Sequence, residues 1–239
     1  MIEKDRIVGV GIGVPGPVTP DGTVLKCVNL GWDVFNVERE LSRLTGLPTK
    51  AANDANAAAL GELWQGGGKG CRSIVLVTLG TGIGGGVILD GKIVSGTNGA
   101  AGEIGHIHVD DGETERCNCG NMGCLEQYAS ATGVVRMMRR ALARQPDAAK
   151  AGDAAAYLVM QEVGKIFGKG LASVACVVDP EAFVVGGGMS KAGELLLVPV
   201  RSAYRTYVFH AARNARFVLA ELGNDAGMYG CAKLVLNGS

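Results

Sequence analysis

The chain has 239 residues, 47% of them apolar, and its 23 basic and 23 acidic residues balance to a formal charge of zero. A neutral chain lacks the excess of Lys and Arg that phosphate backbones require, so nucleic acid is not an expected partner. Only 5% of the residues are aromatic whereas 38 are glycine. This composition favours an α/β protein whose loops let the backbone approach ligands closely.

Hydrophobic periodicity and turn residues predict strands and helices in alternation. Over residues 8–14, glycine alternates with branched apolar residues, so one face of this strand carries no side chains and another element is expected to pack closely on it. Asp21-Gly22 and Asp90-Gly91 predict hairpin turns. The other predicted elements are helices at 36–46, 55–65, 125–144, 153–178, 194–209 and 225–236, and strands at 49–52, 73–79, 87–89, 182–185 and 217–222.

The long helices in the second half of the chain carry three further patterns. Gly164, Gly168 and Ala172 recur every four residues and predict the close approach of another helix. The polar, Ala-rich residues 145–153 predict a surface connection. A solvated helix face is predicted for a run of arginines at Arg136, Arg139, Arg140 and Arg144.

Membrane insertion and secretion are not indicated by the sequence. The longest apolar segment, 154–178, is interrupted by charged and polar residues, and no secretory signal is recognised. A reducing, cytoplasmic environment is expected because four cysteines are scattered without a pairing pattern and read as small buried side chains. These are Cys27, Cys71, Cys176 and Cys231.

Residues 103–126 contain a compact set of metal ligands. One imidazole and three thiols suit a closed, structural tetrahedral Zn²⁺ site, and they come from His106, Cys117, Cys119 and Cys124. Three cysteines within eight residues argue against ordinary buried thiols. A zinc ribbon for nucleic acid is disfavoured because the loop is acidic. Fixing the metal also fixes two nearby carboxylates, Glu103 and Glu126.

Two glycine clusters are candidates for nucleotide binding. Residues 79–86, LGTGIGGG, place a hydroxyl and unhindered N–H groups in a turn between two strands, where a triphosphate can bind. The turn is neither a Walker A loop nor a dinucleotide fingerprint, and a purely steric reason for its glycines stays open. A second cluster, residues 186–188, follows an apolar strand, so the two loops are expected to hold opposite ends of one nucleotide.

Asn53 and Asp54 lie where a short strand meets a helix. Local sequence favours a helix cap for one of them. A catalytic interpretation makes Asp54 a general base that accepts the proton of an attacking hydroxyl, since phosphoryl transfer otherwise needs mainly alignment and charge neutralisation. The two roles are compatible.

Six segments taken together resemble the ROK family of sugar kinases and sugar-responsive repressors. They are GVGIGVPGPV, NDANAAALGE, LVTLGTGIGGG, GEIGHIHV, CNCGNMGCLEQ and VVGGGMS, in the family's order. The resemblance, strongest to bacterial glucokinases, implies an α/β, actin-like (ribonuclease H-like) ATPase fold of two lobes. Residues 1–52 would be the remnant of a small N-terminal lobe, and residues 53–239 the larger lobe.

The resemblance also implies an activity and a set of site residues. The activity is ATP-dependent phosphorylation of a hexose at its 6-hydroxyl, with glucose as the favoured hexose. Asp54 would be the catalytic base, and Mg²⁺ and ATP would be the cofactors. The sugar hydroxyls would be bound by Asn53, Asp54, Glu103, His106 and Glu126. His106 would use one ring nitrogen for zinc and the other for sugar. ATP would be bound by Gly80, Thr81, Gly82, Gly84, Gly85, Gly187 and Gly188. A homodimer is expected.

The start of the chain departs from the family pattern. The family's Asp-x-Gly-Gly-Thr phosphate turn and its strands are not recognised before Arg6, so the strand at 8–14 is expected to have an open edge and catalysis to be impaired. Three interpretations stay open: a sugar kinase, a catalytically impaired zinc- and sugar-binding member, and a repressor, for which no helix-turn-helix is recognised. Asp54 and both glycine loops favour kinase ancestry.

Overall fold

The computed structural model describes residues 6–25, 27, 30–144 and 152–238. In chain order the helices and strands are β1 (Val10–Val14), β2 (Thr23–Val24), β3 (Phe35–Asn36), α1 (Val37–Thr45), β4 (Thr49–Asn53), α2 (Asp54–Gln65), β5 (Ile74–Leu79), β6 (Ile83–Leu89), β7 (Lys92–Ile93), α3 (Glu126–Ala129), α4 (Ala131–Arg144), α5 (Gly152–Val178), β8 (Ala182–Gly186), α6 (Glu194–Tyr207), β9 (Arg216–Leu219) and α7 (Ala226–Gly238). The predicted elements are present, with ends that differ by up to four residues, except that the helix predicted over 125–144 is divided in two.

The chain forms two compact units. The first comprises Met1–Leu76, Gly85–Gly102 and Ala220–Ser239, and the second comprises Val77–Gly84 and Glu103–Leu219. The strands form a parallel β1-β4 pair, an antiparallel β2-β3 pair and a five-stranded sheet of order β7-β6-β5-β8-β9. The sequence-based division after residue 52 stays a proposal about lobes.

In the first unit, α7 covers the glycine face of β1. A Cβ at Gly11 would overlap the backbone carbonyl of Cys231, and one at Gly9 would lie 2.6 Å from Cγ1 of Val235. Only glycine allows this approach, and the predicted close packing on the bare strand face is confirmed.

Near the C-terminal end of α2, one buried carboxylate binds the segment between β9 and α7. Glu62 is 1% exposed. Its oxygens accept hydrogen bonds from the backbone N–H groups of Gly67 at 2.9 Å, Glu221 at 3.1 Å and Leu222 at 2.9 Å. These bonds satisfy a charge that would otherwise be costly to bury.

One edge of β1 has no strand beside it among the residues that the structure describes. β1 pairs with β4 in register from Val10 opposite Thr49 to Val14 opposite Asn53, and no other described strand pairs with it. A groove of about 700 Å³ is lined by residues of β1, α2 and α7, among them Gly11, Gly13, Asp54, Met228 and Val235. The predicted open edge is therefore present in the described part of the chain.

In the second unit, α5 and α6 pack through small residues. A Cβ at Gly164 would lie 2.5 Å from Cγ of Pro199, and one at Gly168 would lie 2.8 Å from Cβ of Ala203. The predicted small-residue contact is confirmed. Among the helices of the described residues, none is both long and apolar enough to span a bilayer.

Two sequence-based predictions are corrected by the structure. The helix predicted over 125–144 is two helices, because Ser130 between them has an extended backbone with ψ of 168°. Its hydroxyl accepts the N–H of Gly133 at 3.0 Å and so caps α4. Cys176, predicted to be buried, is exposed. The predicted surface connection at 145–153 lies, up to residue 151, outside the described residues.

Candidate functional site

Four predicted metal ligands meet in the second unit. The side-chain donors of His106, Cys117, Cys119 and Cys124 all lie within 4.8 Å of one another. The Sγ atoms of Cys119 and Cys124 are 3.6 Å apart, and Nδ1 of His106 is 3.8 Å from Sγ of Cys117. A tetrahedral ion with metal–sulfur bonds of about 2.3 Å requires such separations. The donor set and its spacing therefore fit zinc.

The metal loop, residues 106–124, is held by short backbone pairings. Arg116 and Met122 form an antiparallel bridge, and the N–H of Cys117 donates to the carbonyl of Asn121 at 2.7 Å. Gly120 and Gly123 have φ of 94° and 73°, as their predicted tight turns require. These contacts fix the thiols without a long secondary-structure element.

His106 presents its two ring nitrogens to different groups. Nδ1 faces the cysteine cluster and is 3.8 Å from Oε1 of Glu126, whereas Nε2 is 3.9 Å from Oε2 of Glu103. A ligand that uses Nδ1 for the metal keeps Nε2 as a donor directed toward Glu103. The predicted cluster of one imidazole and two carboxylates is therefore present in the second unit.

Glu126, the first residue of α3, contacts both the metal loop and the glycine-rich turn. Its Oε1 accepts the thiol of Cys117 at 2.9 Å, and its Oε2 accepts the N–H of Ile83 at 3.4 Å. Burial, and next the contact with Glu126, raise the pKa of Cys117 to about 12. Because the carboxylate is held at both oxygens, its position is defined by both loops.

The turn at residues 80–82, named the phosphate turn after the ligand predicted for it, is supported by the start of α4. The N–H of Ala131 donates to the carbonyl of Gly80 at 2.8 Å, and the hydroxyl of Thr132 donates to the carbonyl of Thr81 at 2.6 Å. Gly187, with φ of 82°, packs against Leu79, and Gly188 follows it in a 3₁₀ turn. Of the other predicted ATP residues, Gly84 and Gly85 lie within β6.

The arginine run on α4 was predicted as a solvated face, which is wrong for two of its members. Arg136 and Arg140 form ion pairs at 2.7 and 3.0 Å with Glu113, whose side chain is fully buried. Arg139 is exposed as predicted. Sequence reasoning missed the pairing, although Arg136 and Arg140 stand four residues apart on one helix face.

Asn53 and Asp54 lie in the first unit, at the junction of β4 and α2. The side-chain oxygen of Asn53 accepts the N–H groups of Ala55 and Asn56, so Asn53 is the predicted helix cap. Its side-chain nitrogen donates to the carbonyl of Gly16 at 3.3 Å. Asp54 is exposed, and its Oδ1 accepts the N–H of Ala55 at 2.8 Å.

Sequence and structure comparisons give the family. The family model for the ROK family matches residues 2–237. The chain belongs to the ROK family. This ROK chain is 41% identical to a glucokinase of Halalkalibacterium halodurans, over 97% of the chain and 77% of that protein.

Solved structures of ROK proteins share the fold. A ROK family glucokinase from Streptomyces griseus, in complex with glucose and AMPPNP, is 36% identical with a TM-score of 0.78, covering 98% of this chain and 83% of that one. A ROK hexokinase from Thermus thermophilus is 33% identical with a TM-score of 0.81, covering 98% and 81%. The fold is that of the actin-like ATPases, as predicted.

Proposed function

We propose that this ROK chain is an ATP-dependent sugar kinase that phosphorylates glucose at its 6-hydroxyl. The observation that carries this proposal is the dual contact of Glu126, which meets the metal loop through Cys117 and the phosphate turn through Ile83. A sugar held by this carboxylate would lie beside a phosphate held by the turn. The similarity to the glucokinases supports glucose as the acceptor.

The sugar hydroxyls are bound by Glu103, His106 and Glu126, with Asn53 and Asp54 as further contacts. Carboxylates accept hydrogen bonds from hydroxyls, and the Nε2 side of His106 faces Glu103, so acceptors and a donor stand together. Zinc bound by His106 and the three cysteines has a structural role, because a closed four-ligand site leaves no position for substrate.

ATP supplies the phosphoryl group and is bound by the predicted glycines of the phosphate turn and of the 187–188 turn. Mg²⁺ accompanies the nucleotide and neutralises phosphate charge. A cytoplasmic location and a homodimer are part of the same proposal.

Asp54 is the general base. As the 6-oxygen bonds to the γ-phosphorus and the bond to ADP breaks, the hydroxyl proton passes to the carboxylate of Asp54. Its exposed position at the start of α2 leaves Oδ2 without a described protein partner, and the cap by Asn53 fixes the backbone beneath it.

The proposal is tested by a coupled assay for glucose 6-phosphate with ATP and Mg²⁺. We expect Asp54→Asn to lower kcat by about a hundredfold or more, the usual scale for a general base, while calorimetric glucose affinity stays nearly unchanged. Asp33→Asn is the matched control, because Asp33 is also exposed and in the first unit. Normal turnover by Asp54→Asn would refute the general-base role and leave Asp54 with a structural role at the start of α2. A wild-type chain that binds glucose without turnover would favour the impaired sugar-binding interpretation.

A further inference from the structure

A cavity of about 320 Å³ in the second unit lies between the phosphate turn, the metal loop and the start of α4. Its lining includes Thr81, Gly82, Arg116, Asn118, Glu126 and Thr132. The cavity therefore joins the turn proposed to bind phosphate to the loop that carries the metal ligands.

Two backbone donors at this cavity have no protein acceptor. The N–H groups of Thr81 and Gly82 make no hydrogen bond within the described ranges, whereas Gly80 donates to the carbonyl of Gly82 at 3.0 Å and Ile83 donates to Glu126. Consecutive free N–H groups in a turn suit an anion with several oxygens.

Two arginines line the cavity, and only one is neutralised. Arg136 is bonded to Glu113 at 2.7 Å and to Glu115 at 3.3 Å. Arg116 makes a single hydrogen bond, from Nη1 to the carbonyl of Gly120 at 2.8 Å, and no ion pair with any described residue. The guanidinium of Arg116 thus keeps both its charge and most of its donors.

Of the two carboxylates that line the same cavity, Glu115 is neutralised by arginines and Glu126 is not. Glu115 pairs with Arg136 and with Arg140 at 2.6 Å, and both oxygens of Glu126 accept hydrogen bonds. Glu126 keeps its negative charge, because the thiol of Cys117 and the N–H of Ile83 are neutral donors. Among the described residues that line the cavity, Arg116 is the cation without an ion pair.

We propose that Arg116 binds the terminal phosphates of the nucleotide together with the free N–H groups of Thr81 and Gly82. A guanidinium offers a planar pair of donors that matches phosphate oxygens. This inference rests on the proposed kinase function and adds a residue to it. Because Arg116 directly precedes Cys117, the metal loop would hold the phosphate as well as the sugar.

The test is calorimetric titration of the zinc-loaded chain with ATP and, separately, with adenosine. We expect Arg116→Gln to weaken ATP binding by about ten- to a hundredfold, the scale of a hydrogen bond to a charged group, and to leave adenosine binding unchanged. Arg139→Gln removes an exposed arginine that does not line the cavity, and it should bind ATP like the wild type. Arg116→Lys keeps the positive charge but loses the planar pair of donors, so its ATP affinity should lie between those of the wild type and Arg116→Gln.

The outcomes separate this inference from the function on which it rests. Equal ATP affinity in the wild type and Arg116→Gln would overturn the role of Arg116 and leave the kinase proposal standing. Equal losses for ATP and adenosine would assign Arg116 a structural role and also overturn the inference. A wild type that binds no ATP would overturn both. If Arg116→Gln does not fold with zinc, the same comparison is made with Arg116→Lys. Wild-type ATP affinity in Arg116→Lys would then overturn the proposed binding of phosphate by the paired donors of the guanidinium.

Discussion

Glu113, a residue of the metal loop, lies at the centre of a group of side chains joined by hydrogen bonds and ion pairs. Its fully buried side chain meets Arg136, Arg140 and the hydroxyl of Tyr128, and its Oε1 accepts the N–H of Glu115 at 2.9 Å. Hydrogen bonds from Arg140, ahead of any other cause, hold the pKa of Glu113 well below its usual range, although burial opposes the shift. The ionised form is therefore the one that stabilises the fold.

Acid should remove the stability that Glu113 contributes. Since its pKa is lower in the folded chain than in the unfolded chain, that contribution is fully present above about pH 4.5 and is lost as the pH falls toward the folded pKa. The free energy of unfolding by urea, measured from pH 7 to pH 3, should fall more steeply for the wild type than for Glu113→Gln.

Glu162→Gln is the control for this pH series, because Glu162 is 52% exposed. It should follow the wild type throughout. Parallel curves for the wild type and Glu113→Gln would mean that the buried carboxylate carries no acid-linked stability.

At the scale of elements, the metal loop is the segment with little secondary structure of its own. It is joined to α3 by Gln127, whose side chain accepts the N–H of Cys124 at 3.0 Å and donates to the carbonyl of Glu115 at 2.9 Å. A metal that fixes Cys124 would thus also fix Glu126, two residues further along.

Removing the metal should loosen α3 and the proposed sugar contacts together. The chain should hold one zinc, and chelation should lower its melting temperature and weaken glucose binding by about tenfold or more, the scale seen when the surroundings of a metal ligand are disturbed. Metal analysis and calorimetric titration with glucose before and after chelation measure both effects.

Cysteine variants serve as controls for the chelation experiment. Cys119→Ser should lose zinc, whereas Cys176→Ser, at an exposed thiol outside the cluster, should keep it. Unchanged zinc in Cys119→Ser would refute the ligand set. Unchanged glucose affinity in a folded, zinc-free chain would separate the metal from the pocket.

Local signals explain which elements could be predicted from the sequence. The Asp90-Gly91 turn needs two residues at positive φ, observed at 48° and 77°. Asp-Gly is a residue pair that favours this conformation, so two adjacent residues predict the turn. The metal ligands are equally local. The break at Ser130 also has a local signal that sequence reasoning missed, because serine is a favoured N-cap residue and the hydroxyl of Ser130 caps α4.

The arginines show a limit of sequence reasoning at the candidate site. Arg136 and Arg140 lie 23 and 27 residues after Glu113 in the sequence. Their charges are therefore neutralised only in the folded chain. For the same reason the unpaired state of Arg116 could not be read from composition or spacing. The catalytic assignment of Asp54 came from its position where a strand meets a helix and from the family resemblance, and it stays a prediction.

At the scale of the whole molecule, Glu62 connects segments that are 159 and 160 positions apart in sequence. Glu62→Gln should lower the free energy of unfolding by roughly 2–4 kcal/mol, because an amide nitrogen replaces one acceptor and leaves buried N–H groups without a partner. Urea denaturation measures the loss. Glu40→Gln, which breaks an exposed ion pair with Arg43, should change stability far less, and equal effects of the two variants would contradict the role given to Glu62.

The packing of α7 on β1 sets an order for folding during synthesis. The glycine face of β1 is synthesised well before Cys231 and Val235, which cover it and lie more than two hundred residues further along the chain. The hydrogen-bond donors of the Glu62 carboxylate at Glu221 and Leu222 are likewise synthesised 159 and 160 residues after it. The second unit ends at Leu219, before α7, so it can fold on the growing chain while the glycine face of β1 stays uncovered and open to chaperones until α7 has been synthesised.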